Sequence, residues 1–285
     1  MDPIDFASDE LRCSVNPLGA ELWRIADVQG RDWLWDGDPS WWTGRAPILF
    51  PIVGMLKGGC YRFDGRTYAL EKHGFARRRP FDVVDMSNSA VTLQLVADDE
   101  TRAVYPFEFR LLLHFEATGR TVRVDATVSN DGWGPMPFSF GFHPALRWPL
   151  PGGTREGATL RFDKPELGPV LRMNKDGLID RSEPSPADTG LLKLRDALFA
   201  DDAMIIRGVN SRGATFDCGG ASARIDWRGL PDLGLWTKPG APYLCIEPWQ
   251  GFNDPEGFDG DLTQKPGIVT LAPGADWTAR IAISV

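Results

Sequence analysis

Apolar residues at every second position, recurring from one end of this chain to the other, limit its fold more than any other feature. In 121–128, Val122, Val124, Ala126 and Val128 alternate with Thr121, Arg123, Asp125 and Thr127. Successive side chains of an extended strand point to opposite faces, so this spacing describes a strand with one face on a core. Phe107, Phe109, Leu111, Leu113 and Phe115 keep the same period just before it, and Ala279, Ile281, Ile283 and Val285 keep it at the end. Turn pairs such as Asp64-Gly65, Asp176-Gly177, Pro239-Gly240 and Pro273-Gly274 punctuate the runs. Helical periodicity is nearly confined to 194–204, where Asp196 is placed to cap a short helix carrying Ala197, Leu198 and Phe199. The expectation is an all-β antiparallel sandwich with under about a tenth of its residues helical, against the usual third. Its 285 residues suit one domain spanning 1–285, since no fixed-period repeat or low-complexity linker divides them. The Pro-rich stretch 183–188 reads as a surface loop.

Charge narrows the partners. Lys and Arg number 31 against 39 Asp and Glu, a net charge of −8, which argues against a general nucleic-acid binder. No apolar run reaches the roughly 18 residues of a membrane span. The acidic start, Met1 to Glu10, lacks the basic and apolar regions of a secretory signal. Cys13, Cys60, Cys218 and Cys245 are scattered without a CxxC pair. They read as reduced thiols of a cytoplasmic protein rather than a disulfide framework or zinc site.

Three segments carry chemistry: Lys72-His73-Gly74-Phe75-Ala76-Arg77, Phe140-Gly141-Phe142-His143-Pro144, and Cys245-Ile246-Glu247-Pro248-Trp249. Each sets a histidine or a carboxylate among aromatic, Gly or Pro neighbours where a strand ends or bends. Two histidines and one carboxylate suit the opening of a cyclic sugar. One group takes the proton of the anomeric hydroxyl while another protonates the ring oxygen. On its own, Glu247 at the end of an apolar strand is either paired with a base such as Lys238 or poised with a raised pKa.

With these segments, Trp33-Leu34-Trp35-Asp36-Gly37-Asp38-Pro39, 46–54 (Ala-Pro-Ile-Leu-Phe-Pro-Ile-Val-Gly), Lys265-Pro266-Gly267-Ile268 and Leu271-Ala272-Pro273-Gly274 occur in one order. Taken together they resemble the aldose 1-epimerase (galactose mutarotase-like) superfamily, in its LacX-like branch near the hexose-6-phosphate mutarotases. The resemblance implies a β-supersandwich, a small-molecule sugar substrate, and neither cofactor nor metal, in a monomer or weak homodimer. It places the general acid on His143 and the general base on Glu247. It implies that His73, Arg77 and Asp202 bind sugar, and it can set Arg45 and Arg77 on the two phosphate-binding arginine positions of the hexose-6-phosphate branch. Trp236 and Trp249, flanking the Glu247 strand, are candidates to stack on a sugar face.

Other prominent residues carry plainer expectations. Strand parity puts His114 on the polar face with Arg110 and Glu116. Arg78 and Arg79 read as a solvated strand face, and most of Trp33, Trp35, Trp41 and Trp42 as packing. Three rivals remain: a non-catalytic carbohydrate-binding sandwich; a metal enzyme using His73, His143 and Glu247; and a glycosidase or lyase, which would need paired carboxylates.

Overall fold

The computed structural model describes residues 2–285. It is 46% strand and 7% helix, an antiparallel β-sandwich as the alternation predicts. Nine strands form one sheet and eight the other, and every strand pairing in either is antiparallel. Phe109–Thr118, Thr121–Asn130 and Asp276–Ser284 lie side by side in the nine-stranded sheet, with Leu113 opposite Ala126 and Ala126 opposite Ala279. Their alternate apolar residues, Leu111 to Phe115, Val122 to Val128 and Ala279 to Ile283, are all buried. On the outer face Asp125 is bracketed by Arg123 and Arg280, and Arg123 also reaches Glu116. Cross-strand pairs of opposite charge keep this wet face in register at little cost.

The eight-stranded sheet covers the other side of the core. Phe140 of this sheet, and Phe138 of the separate short strand Met136–Phe138, pack against Trp277 of the first sheet, with ring centroids 5.5 and 5.4 Å apart. Its central strand, Tyr243–Gln250, is buried from Tyr243 to Trp249 whichever face a residue points to. A strand enclosed on both sides cannot alternate in polarity, because each of its faces meets protein. That enclosure removes Glu247 from water.

The helical expectation holds in amount and shifts in place. Residues 194–204 hold one 3-10 turn, Asp196–Phe199, in which Asp196 opens the turn instead of capping it and pairs with Arg155. The one α-helix among the described residues, Asp99–Val104, escaped the periodicity because it is shorter than two turns. Its sign is local: Asp98 accepts the Thr101 N–H and Thr101 Oγ1 accepts the Asp98 N–H, a capping box. Arg78 and Arg79 also leave the strand face expected for them: Arg78 ends the 3-10 turn Ala76–Arg78 and Arg79 caps it. The stretch after Glu183 is a surface loop as expected, anchored by buried Ala187. All four cysteines are free thiols, and no helix among the described residues is long and apolar enough to cross a membrane.

Candidate functional site

Strand register brings His143 and Glu247 together. On one flank of Tyr243–Gln250, Gly141 pairs with Trp249 and Ala145 with Cys245. The same register puts His143 abreast of Glu247. Pro144 has no N–H to continue the ladder, so the partner strand breaks there into Phe140–Phe142 and Ala145–Arg147. His143 Nε2 lies 3.0 Å from Glu247 Oε2. The contact is not aligned as a hydrogen bond, and neither Glu247 Oε2 nor His143 Nδ1 has a hydrogen-bond partner among the described residues. On the other flank Glu247 faces Gly234, where a Cβ would stand 2.6 Å from the Trp249 ring. Glycine there makes room for the indole beside the carboxylate.

His73 reaches the site from a tight turn. Both it and Gly74 have positive φ, 68° and 69°, and a Cβ on Gly74 would meet the Phe50 carbonyl at 2.3 Å. Only glycine tolerates that approach. His73 N donates to the Gly54 carbonyl at 2.9 Å, and Gly54 N donates to His73 Nδ1 at 3.0 Å. With Nδ1 accepting, a neutral His73 carries its proton on Nε2. Its ring stands 5.7 Å from that of His143, centroid to centroid.

These groups line a pocket of about 140 Å³ with Lys72, Arg77, Asp202, Trp236 and Trp249. Seven of the eight site residues singled out from the sequence therefore meet in one place. Arg45 does not. Its guanidinium turns away to donate to the Trp23 carbonyl at 2.9 Å and lies 3.8 Å over the Trp23 ring. The expectation that Arg45 shares a phosphate site with Arg77 is not supported by this placement. Larger hollows of about 350 and 540 Å³ lie elsewhere. In the first the lysines are already paired, Lys57 with Asp259 and Lys265 with Asp254, and neither hollow is lined by a histidine.

Trp42 is the main residue that sequence reasoning passed over. It belongs to the four tryptophans expected mostly to pack, but its ring covers His143 at 5.0 Å and meets Trp236 edge-on at 5.4 Å. Nothing local separates it from Trp33 and Trp35, which face inward. Lys72 had a signal, being adjacent to His73; Met173 and Asn253 had none. Trp249 is a wall of the pocket more than a platform, only 3% exposed. His114 lies outside the pocket, its Nδ1 2.8 Å from Thr92 Oγ1. Lys238 reaches the Trp41 carbonyl and leaves Glu247 poised rather than paired with a base.

Burial sets the protonation of the pair. It pushes the Glu247 carboxyl well above its ordinary value, opposed by the Lys72 cation, and holds His143 down to about 3. His73 is driven well below the usual imidazole range by burial, with His143, Lys72 and Arg77 adding to it. Burial thus favours the neutral form of both histidines and of Glu247. Above the ordinary carboxyl value of 4.5 the folded protein keeps a proton on Glu247 that the unfolded chain has lost, so stability falls as pH rises. His143 acts oppositely between about 3 and 6.5, where the unfolded chain binds the extra proton and acid destabilises. Glu247→Gln removes only the first effect. Its melting temperature should rise relative to the parent protein, the gap widening as pH rises above the ordinary carboxyl value of 4.5. A gap independent of pH would show that Glu247 titrates normally.

A family model described as aldose 1-epimerase matches residues 4–284. The chain is similar to the chromosomal LacX protein of Lactococcus lactis, 30% identical over 283 residues, covering 95% of each chain. Its structure is similar to a galactose mutarotase-like protein of Lactobacillus casei, with 30% identity, a TM-score of 0.91 and 99% of each chain covered. A galactose mutarotase related enzyme of Lactobacillus acidophilus superposes with the same TM-score at 29% identity, over 99% of this chain and 97% of that one.

Proposed function

The chain belongs to the aldose 1-epimerase family, and from that premise we propose that it interconverts the α and β anomers of a hexose or hexose phosphate. The observation that carries the proposal is the His143–Glu247 pair, 3.0 Å apart in one buried pocket. Ring opening must take a proton from the C1 hydroxyl and give one to the ring oxygen. The two steps cancel, so a pair sharing a single proton can cycle without outside acid or base. In the working form His143 carries that proton and Glu247 is the anion. The form differs from the resting one by a proton shift across 3.0 Å, and Lys72 favours the anion. Glu247 then accepts the C1 hydroxyl proton as His143 protonates the ring oxygen. The C1–O bond breaks to the open aldehyde, rotation about C1–C2 presents the other face, and the steps reverse. His73, held neutral with its Nε2 proton free, donates to a sugar oxygen without competing for the shuttled proton.

The test is optical rotation after dissolving pure α-anomers of free and 6-phosphorylated hexoses with the protein. Relaxation faster than the spontaneous rate supports the proposal; binding without acceleration across the panel leaves a carbohydrate-binding protein instead.

Arg77 decides between charged and neutral sugars in this proposal. It lines the pocket, its Nη2 held by the Lys72 carbonyl at 2.8 Å while its buried Nε has no partner among the described residues. A charge-assisted hydrogen bond contributes about 1.5–3 kcal/mol. Arg77→Ala should therefore raise KM for a 6-phosphorylated hexose by about 10–100-fold and for the free hexose by much less. Arg45→Ala should leave the ratio of the two unchanged. Equal losses for both sugars in Arg77→Ala would remove the phosphate role.

A further inference from the structure

One buried group beside the pair, the Cys245 thiol, has no part in the proposed sugar chemistry. Cys245 and Glu247 are two apart on the same strand, so their side chains leave it on the same face, and His143 stands abreast of Glu247. One ligand atom from each of His143, Cys245 and Glu247 falls within 4.8 Å of the others, all three residues being buried. The thiol packs among Trp35, Ala145, Ala241 and Tyr243. His143 Nδ1 and Glu247 Oε2, both without hydrogen-bond partners among the described residues, are free to serve a ligand.

We infer that His143, Cys245 and Glu247 form an inhibitory site for a thiophilic divalent cation such as Zn²⁺ or Cd²⁺. Three arguments lead to this. A nitrogen, a thiolate and a carboxylate select Zn²⁺ or Cd²⁺ over Mg²⁺ and Ca²⁺, which prefer all-oxygen sites. Thiolate and carboxylate together balance the dication's charge, so the buried complex is neutral and avoids the cost of an isolated buried ion. Zinc bond lengths of about 2.0–2.3 Å put neighbouring ligand atoms about 3.5 Å apart, so the cluster, now within 4.8 Å, must draw in by up to about 1 Å on binding. His73 is excluded because its Nδ1 already accepts the Gly54 N–H. On binding, the Cys245 S–H and Glu247 O–H protons leave to water as metal–sulfur and metal–oxygen bonds form; no electrons are exchanged. Both groups of the proton-transfer pair are then metal ligands, and turnover stops. The inhibitory part rests on the epimerase proposal, whereas the binding part does not.

Cd²⁺ titration separates the two, with the thiolate-to-cadmium absorption band and mutarotation followed in parallel. The expected result is one equivalent bound with growth of the band, loss of activity in proportion, and full recovery with EDTA. Cys245→Ser should keep parental activity in metal-free buffer, lose the band and lose at least about ten-fold in affinity. Cys60→Ser, removing the one thiol that is partly exposed, should bind as the parent does. A band and stoichiometry unchanged in Cys245→Ser, or no binding in the parent, overturns the site. Binding through Cys245 with an active enzyme left uninhibited overturns the inhibition. Binding through Cys245 by a protein that accelerates no sugar keeps the site and removes the epimerase reading alone.

Discussion

Glu247→Gln lowers turnover by about 10²–10⁴-fold while substrate binding stays close to that of the parent protein. The amide keeps the carboxylate's shape and can still hydrogen-bond, but it cannot accept the C1 hydroxyl proton. His143→Asn is expected to lose a similar factor, since asparagine cannot donate a proton to the ring oxygen. The double variant should fall well short of the product of the two losses, because groups that act as one unit are not additive. Single-turnover optical rotation and a separate binding measurement read the two quantities. Near-normal turnover in Glu247→Gln would remove the pair from the mechanism. This loss arrives with a gain, since the same substitution is expected to stabilise the fold at neutral pH by removing a carboxyl that burial strains. Activity and stability moving in opposite directions at one residue distinguish a functional carboxylate from a structural one.

A second large effect is expected at Lys265. Its ammonium is wholly buried and donates to the Phe252 carbonyl at 2.7 Å and to Asp254 Oδ1 at 2.6 Å. Asp254 Oδ2 in turn accepts the Lys57 N–H at 2.9 Å. Between them lies Asn253, a wall of the pocket whose amide donates to the Gly177 carbonyl. Burial lowers the Lys265 pKa, and Asp254 restores part of the shift. Lys265→Met leaves Asp254 buried without its cation, and removing one partner of a buried pair costs about 3–5 kcal/mol. For a chain of this size that is a fall in melting temperature of roughly 10 °C. Adding Asp254→Asn to Lys265→Met should recover a large part, because the stranded charge is gone. A loss under about 1 kcal/mol in the single variant would show that the pair is dispensable.

The fold class was legible because period-2 alternation is a local property of any strand with one wet face. Residues 109–118, 121–130 and 276–284 show it and occupy adjacent places in one sheet. The central strand Tyr243–Gln250 does not show it, being enclosed on both sides, and was recognised by its Glu-Pro-Trp motif instead. The short helix 99–104 was missed because six residues carry too little periodicity, although its capping box was written in Asp98 and Thr101. Arg77 to Arg79 lack turn residues that would have revealed the 3-10 turn, and their neighbours Glu71, Asp98 and Glu100, which pair with Arg78 and Arg79, come from distant positions.

For the site, the motifs offered His73, His143 and Glu247, the family resemblance added Arg77 and Asp202, and position beside the Glu247 strand added Trp236 and Trp249. What the sequence by itself determined is which residue types stand at strand ends and bends, since alternation, glycine and proline act over a few positions. Only the tertiary structure decided which of them share a space. Arg45 and Trp42 illustrate this: three positions apart, one is drawn back onto Trp23 and the other covers His143. The same holds for Glu247, whose poised carboxyl depends on enclosure by strands 104 positions away in the chain. Burial and the direction of a long side chain are set by what arrives from elsewhere in the chain, and no local pattern carries that information.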